Sequence, residues 1–325
     1  MDDAVVSTQD IRKAFRSKRG DVEAVRGVNL SVQRGQVFGF VGPNGAGKTT
    51  TLRILTTLLM PDTGVATVAG FDVKTEAQKV RRHIGYVGQA GGADRSATGR
   101  EDLILQGRLH GMSGRDAKER AAELVAALDL GEFIDRIVGT YSGGQHRRLD
   151  VAIGMMHRPV VLFLDEPTVG LDPQNRANLW DQIRQLRAGG TTIFLTTHYM
   201  DEADELSDRL AIIDHGVIVA EGTPRELKRD IAGDVITIGV GEHDLHAQKL
   251  MSLLKDMLFV RDVNEEPEQL RIYVDNGESA LPPIFRLLEQ EGLRLATITL
   301  SVPTLDDVFL RETGRSLRVE AATAR

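Results

Sequence analysis

Short apolar runs alternate with helical patterns from the N-terminus to about residue 230. Residues 37–41, 160–164 and 191–195 are compact, apolar and bounded by polar or glycine residues. That is the pattern of strands buried on both faces of a parallel sheet. Helical stretches lie between them, at 116–128 and at 174–186, where Leu179, Ile183 and Leu186 recur at helical spacing. Trp180, the only tryptophan, sits beside that stripe and is expected to pack. Thr98-x-x-Glu101 is a capping-box pattern ahead of an apolar helix beginning near Leu103, and Gly91, Gly92 and Gly99 make the segment before it a loop.

Near residue 230 the pattern changes. Residues 235–240 predict a strand, and Leu250, Leu253, Leu254 and Met257 a helical stripe. Residues 259–263 and 270–274 predict a strand pair. Leu281, Ile284, Leu287 and Leu288 form a second stripe, and 295–300 a last strand. The order β-α-β-β-α-β is the split βαβ arrangement. The expected organisation is therefore an α/β domain over 1–232, a small α+β domain over 233–315 and a loose tail over 316–325.

Chemistry concentrates at strand ends. Gly42-Pro-Asn-Gly-Ala-Gly-Lys-Thr49 follows an apolar strand and opens a helix carrying Leu52, Ile54, Leu55, Leu58 and Leu59. This is the phosphate-binding pattern G-x-x-x-x-G-K-[ST] in its proper context. Gly42, Gly45 and Gly47 let the backbone N–H groups turn inward, and the helix N-terminus adds positive potential. Lys48 supplies a charge to the β- and γ-phosphates, and Thr49 a hydroxyl to Mg²⁺. Residues 160–164 run into Asp165 and Glu166. In an open parallel sheet ligands sit at the carboxyl ends of strands, so Asp165 is placed for Mg²⁺ and Glu166 to polarise an attacking water. The strand over 191–195 ends near His198 at the same edge. A lone histidine is usually structural; this position favours hydrogen bonding near the γ-phosphate.

Composition narrows the classes. The 325 residues are 41% hydrophobic and 27% charged, which suits a globular protein with room for two domains. A net charge of -7 is not built to attract nucleic acid or anionic lipid. The absence of cysteine excludes disulfides and thiolate metal sites. The N-terminal acids do not fit a secretory signal, and no apolar run approaches the roughly 18–20 residues that span a bilayer. Work at a membrane would need a partner.

Ser142-Gly-Gly-Gln145, about twenty residues before the acidic strand, resembles the signature of ATP-binding-cassette (ABC) proteins, and with the phosphate loop (Walker A) it covers roughly residues 5–230. The resemblance implies a P-loop NTPase cassette with a helical subdomain over about 90–155, an ATPase using ATP and Mg²⁺. It implies ATP contacts from Phe15, Gly42, Pro43, Asn44, Gly45, Ala46, Gly47, Lys48, Thr49, Thr50, Ser142, Gly143, Gly144, Gln145 and Asp172. It implies metal contacts from Thr49, Gln89 and Asp165, and catalytic roles for Glu166, His198 and Gln89. On the residues alone, Phe15 suits a core position as readily as a platform for adenine. Two departures stand out: Tyr141 where leucine is usual, and His146 where a basic residue is usual. Both are expected to tune packing.

Because the signature contacts ATP held by the opposite subunit, a single-cassette chain implies a head-to-tail homodimer. It also implies a separate polytopic membrane permease and a cytoplasmic, peripheral place at the inner face of the membrane. Pro303-Thr-Leu-Asp-Asp-Val-Phe-Leu310, with Thr313-Gly314, resembles the C-terminal motif of daunorubicin-resistance (DrrA-like) exporter ATPases, as does Thr140-Tyr-Ser-Gly-Gly. Its residues also suit an amphipathic helix packed on a sheet. Export of a drug-like or lipid substrate is the expected function. The alternatives are an importer ATPase, a non-transport cassette acting on ribosomes or DNA, and a small-molecule phosphotransferase. Paired cassettes or coiled-coil insertions would mark the ribosomal class, and neither is present.

Overall fold

The computed structural model describes residues 4–16, 20–230, 233–239, 247–266, 269–290 and 297–314. The chain divides into two compact units, residues 1–223 and 224–325.

The first unit opens with β1 (Ala4–Phe15) and β2 (Val22–Gln33), then β3 (Val37–Val41) and α1 (Lys48–Leu55). β4 (Thr63–Val68), β5 (Phe71–Asp72), α2 (Ala77–His83) and β6 (Ile84–Val87) follow. Next come α3 (Gly99–Leu109), α4 (Gly114–Ala127) and α5 (Gly143–Met155). β7 (Val161–Asp165), α6 (Pro173–Ala188), β8 (Thr192–Thr197), α7 (Met200–Leu206), β9 (Arg209–Asp214) and β10 (Val217–Gly222) complete it. One sheet has the order β2-β1-β4-β5 and is antiparallel. The other has the order β10-β9-β3-β8-β7-β6, parallel except for the β9–β10 pair.

The apolar strands alternate between two cores, as period 2 requires. Phe38, Phe40, Phe163 and Phe194 face one core, shared with Leu52, Ile54 and Leu55 of α1. Leu162, Leu164, Ile193 and Leu195 face the other, shared with Leu149 and Ala152 of α5 and Leu179 and Ile183 of α6. Phe194 sits 5.5 Å from both Phe38 and Phe163, ring centre to ring centre. The Thr98–Glu101 capping box forms as expected and starts α3. Trp180 packs: the Arg176 guanidinium lies 4.7 Å above its ring, and its Nε1–H donates to Glu202 Oε1 at 3.1 Å. Two predicted strands end later than their apolar runs. β7 includes Asp165 and β8 runs to Thr197, because a parallel ladder needs only backbone groups and continues through polar side chains.

The second unit contains α8 (Pro224–Asp230), β11 (Asp234–Gly239), α9 (Ala247–Lys255), β12 (Val260–Glu266), β13 (Gln269–Val274), α10 (Gly277–Gln290), β14 (Thr297–Ser301) and α11 (Leu305–Thr313). Its sheet has the order β12-β13-β11-β14, every neighbour antiparallel. β13 therefore lies between β11 and β12, which is the split βαβ arrangement read from the sequence. Val240 and residues 295–296 of the predicted strands, and the predicted tail at 316–325, lie outside the described residues. Ile236, Ile238, Ile272 and Val274 meet Leu250, Leu254, Ile284 and Leu288 in one core.

Candidate active site

β3, β6, β7 and β8 are parallel, so their carboxyl ends share one edge of the sheet. That edge brings together the loop after β3, Gln89 after β6, Asp165 and Glu166 at the end of β7, and His198 after β8.

The loop curls tightly. Gly47 caps α1 with φ 107, and a Cβ there would lie 2.3 Å from Ala24 O. At Gly42 a Cβ would lie 2.1 Å from Ile213 O. Only glycine fits either position. Lys48 is buried at 4% exposure and its Nζ donates to Gly42 O at 2.7 Å and Pro43 O at 2.9 Å. Nζ also lies 3.3 Å from Glu166 Oε1, while His198 Nδ1 lies 3.5 Å from Glu166 Oε2. The His198 ring, and then Lys48, hold the Glu166 carboxyl below its ordinary pKa against the effect of burial. Burial pushes the Lys48 ammonium below its ordinary value, opposed by Glu166. Thr49 Oγ1 donates to Asp165 Oδ1 at 3.2 Å, and Thr196 Oγ1 donates to the same oxygen at 2.7 Å. A concavity of about 400 Å³ is lined by Ala24, Asn44, Gly45, Gly47, Lys48, Thr49, Thr50, Gln89 and Glu166.

Other expected residues stand apart from that concavity. Ser142 caps α5 through a capping box: its Oγ accepts from Gln145 N at 3.3 Å, and its N–H donates to Gln145 Oε1 at 3.0 Å. Gly143 lines a neighbouring groove of about 490 Å³ together with Gln89, Arg147 and Glu166. Asp172 caps α6 by accepting from Asn175 N at 3.0 Å, and Asn175 abuts Gly144, whose Cβ would lie 2.3 Å from its Oδ1. Phe15 is exposed at the end of β1, paired with Val22, two residues before the lining residue Ala24. Its ring carries Lys13 Nζ at 5.9 Å.

Tyr141 is buried, donates its hydroxyl proton to Phe133 O at 2.7 Å and meets the Phe133 ring edge-on at 4.9 Å. The ring of His146 lies 5.6 Å from that of Tyr141. Sequence reasoning passed over three residues here. Thr196 supports Asp165. Asp150 Oδ1 accepts from Gly92 N at 2.9 Å and Ala93 N at 3.3 Å. Arg147 donates to Pro167 O at 2.8 Å, Gly88 O at 2.6 Å and Asp165 O at 2.9 Å. For Arg147 and Asp150, a position one to two turns after Ser142 is the only signal the sequence offers, and Thr196 lies at the predicted strand's end, before His198.

A profile described as ABC transporter matches residues 25–169, and one described as ATP-binding protein DrrA1-3-like, C-terminal domain, matches residues 222–313. The chain is 45% identical over 317 residues to the daunorubicin resistance ATP-binding protein DrrA2 of Streptomyces coeruleorubidus, covering 96% of this chain and 97% of that one. It is 39% identical over 318 residues to the Nod factor export ATP-binding protein I of Rhizobium sp. (strain N33), covering 98% and 99%. A solved dimeric ATP-binding cassette, in a post-hydrolysis state bound to ADP and Pi, superposes with a TM-score of 0.61 at 25% identity, covering 67% of this chain and 98% of that one. With this edge of converging loop, acids and histidine, and with such relatives along nearly its whole length, the chain belongs to the ABC transporter family, among its daunorubicin-resistance-type ATP-hydrolysing subunits.

Proposed function

We propose that residues 42–50 hold the phosphates of ATP and that Glu166 is the general base of its hydrolysis. The meeting of Lys48, Glu166 and His198 within 3.3 and 3.5 Å carries this reading. A base must be ionised before it accepts a proton, and the Glu166 carboxyl is held in that form. Lys48 sits against Gly42 O and Pro43 O, where its charge can pass to the β- and γ-phosphates. His198 offers a ring nitrogen at the same edge.

The converging oxygens of Thr49 and Asp165, with the Gln89 amide nearby, are hard donors that suit Mg²⁺. Bound there, Mg²⁺ would neutralise charge developing on the phosphates. The protein residues do the rest: they position the phosphates, orient water and accept its proton. Ser142, Gly143, Gly144 and Gln145 at the start of α5, with Asp172, would face ATP held by a second copy, and Phe15 would stack on adenine. The solved relative is itself a dimer, which supports a head-to-tail homodimer.

The chain is an exporter subunit. No helix among the described residues is long and apolar enough to cross a membrane, so a separate permease would carry the substrate and hold this chain at the inner face of the membrane. Relatives named for daunorubicin resistance and Nod factor export support drug-like or lipid-like cargo. They give no support to the importer, ribosomal or phosphotransferase alternatives.

Glu166→Gln tests the reading in a steady-state ATPase assay with ATP-dependent dimerisation measured alongside. Turnover should fall about 10²–10⁴-fold while ATP still binds and the dimer accumulates. An undiminished rate would rule out Glu166 as the base.

A further inference from the structure

We infer that Arg147 is the positioning residue that sets the Glu166 carboxylate, by holding the backbone on both sides of it and tying it to the first turns of α5. The role rests on the reading of Glu166 as general base.

Glu166 has φ 46, in the left-handed region. A glutamate persists there only where its surroundings over-determine the conformation. Its own N–H is held by Thr196 O and Thr196 Oγ1, each at 3.1 Å. The carbonyl before it, of Asp165, accepts from Arg147 Nη2, and the carbonyl after it, of Pro167, accepts from Arg147 Nε. Proline has no N–H, so its carbonyl is the only hydrogen-bonding backbone group on that side. The third arm, Nη1, reaches Gly88 O, one residue before Gln89.

Arg147 is buried at 7% exposure, so these bonds do not compete with bulk water. Three carbonyls only accept, and they surround the side chain in a fixed spread. A planar guanidinium meets them together; an ammonium cannot. Asp150, one turn further along α5, completes the grip. Its carboxylate holds the N–H groups of Gly92 and Ala93, while Arg147 holds the carbonyl of Gly88. The turn carrying Gln89 is thus fastened to α5 at both ends. Any shift of α5 is passed to Glu166 and Gln89 together. Ser142 caps the start of α5, so nucleotide meeting that end would move this chain's own base.

The test uses the full-length chain with Arg147→Lys and Arg147→Met, each alone and combined with Glu166→Gln. Steady-state ATPase activity, affinity for a fluorescent ATP analogue and thermal melting are measured. Arg147→Lys should melt close to the parent and bind the analogue with little change, yet lose roughly 10- to 100-fold in kcat, the scale of a group displaced by about an ångström. It should add nothing to the loss in Glu166→Gln, because both changes act through one group. If Arg147→Met fails to fold, Arg147→Lys carries the comparison. A folded Arg147→Lys with parental kcat, beside an inactive Glu166→Gln, would overturn the inference and leave the base assignment standing. So would a loss that multiplies in full onto Glu166→Gln, as general loosening would produce. Normal turnover in Glu166→Gln would reject the base assignment and this role with it.

Discussion

Asp307→Asn is expected to unfasten the second unit while leaving the first intact. Asp307 is completely buried. Its Oδ1 lies 2.7 Å from Arg271 Nη2 and accepts from Tyr273 Oη at 3.2 Å. Its Oδ2 accepts from Thr304 N and Thr304 Oγ1, both at 2.7 Å. Arg271 and Tyr273 stand two residues apart on β13, so both reach one face of the sheet. One carboxylate therefore caps α11 and pins it to that face. Burial, and then the Asp307 charge, push the Tyr273 phenol above its ordinary pKa. Asparagine keeps the shape but removes the charge and turns an NH₂ toward a donor. Removing one partner of a buried ion pair costs about 3–5 kcal/mol. A domain is stabilised by about 5–15 kcal/mol in all, so a large share of the second unit's margin is at stake. Hydrogen exchange on the full chain resolves the two units. Amides of β13 and α11 should exchange about 10²- to 4 × 10³-fold faster, at tenfold per 1.4 kcal/mol. Those of β3 and β7 should not change. Exchange within a few-fold of the parent in β13 and α11 would refute the pinning, and equal acceleration in β7 would refute its confinement to the second unit.

Lys48→Ala should weaken ATP binding by roughly 10- to 100-fold, the scale of a lost charge-assisted hydrogen bond; unchanged affinity by calorimetry would contradict its placement. Gly47→Ala should abolish nucleotide binding, because its Cβ would meet a backbone oxygen at 2.3 Å at a φ of 107; retained binding would show that the loop relaxes. His157 should make the first unit acid-sensitive. Its Nε2 meets Ile84 O at 2.8 Å and so carries the proton, while its Nδ1 is buried without a partner. Burial, with His110 stacked 3.8 Å away, pushes its pKa to about 4. The unfolded chain, at an ordinary value near 6.5, binds the proton more readily, so stability falls as pH drops from about 6.5 to 4, by at most about 3 kcal/mol. His157→Leu should flatten the melting temperature over that window; an equally steep profile would assign the sensitivity elsewhere.

The residues proposed to hold phosphate were legible because their chemistry needs particular types at fixed spacing beside an unmistakably apolar strand. The second unit was legible because its stripes keep their period, even with Pro282 and Pro283 inside α10. The antiparallel sheet of β1, β2, β4 and β5 was not. β1 shifts register between Thr8 and Ile11, where Asp10 has φ 45, so the alternation that marks a strand breaks mid-way. Arg147 was hidden for another reason. It serves backbone carbonyls, which every sequence has, and so leaves no partner residue to notice. Asp307 lay inside a recognised motif, yet its partners Arg271 and Tyr273 are more than thirty residues away.

On the proposed role of Ser142, the cap on α5 gives one hydroxyl two separable duties. Ser142 Oγ accepts from Gln145 N, which leaves its own proton free to donate. Alanine there would remove the helix cap and the proposed phosphate donor in a single stroke, and its defects could not be sorted. Aspartate caps a helix as well as serine does, but it brings a negative charge to where a phosphate would arrive. On the proposed head-to-tail closure, Ser142→Asp is therefore a route to a chain that folds and still loads ATP on its own loop yet would repel the second copy, splitting assembly from loading with one side chain.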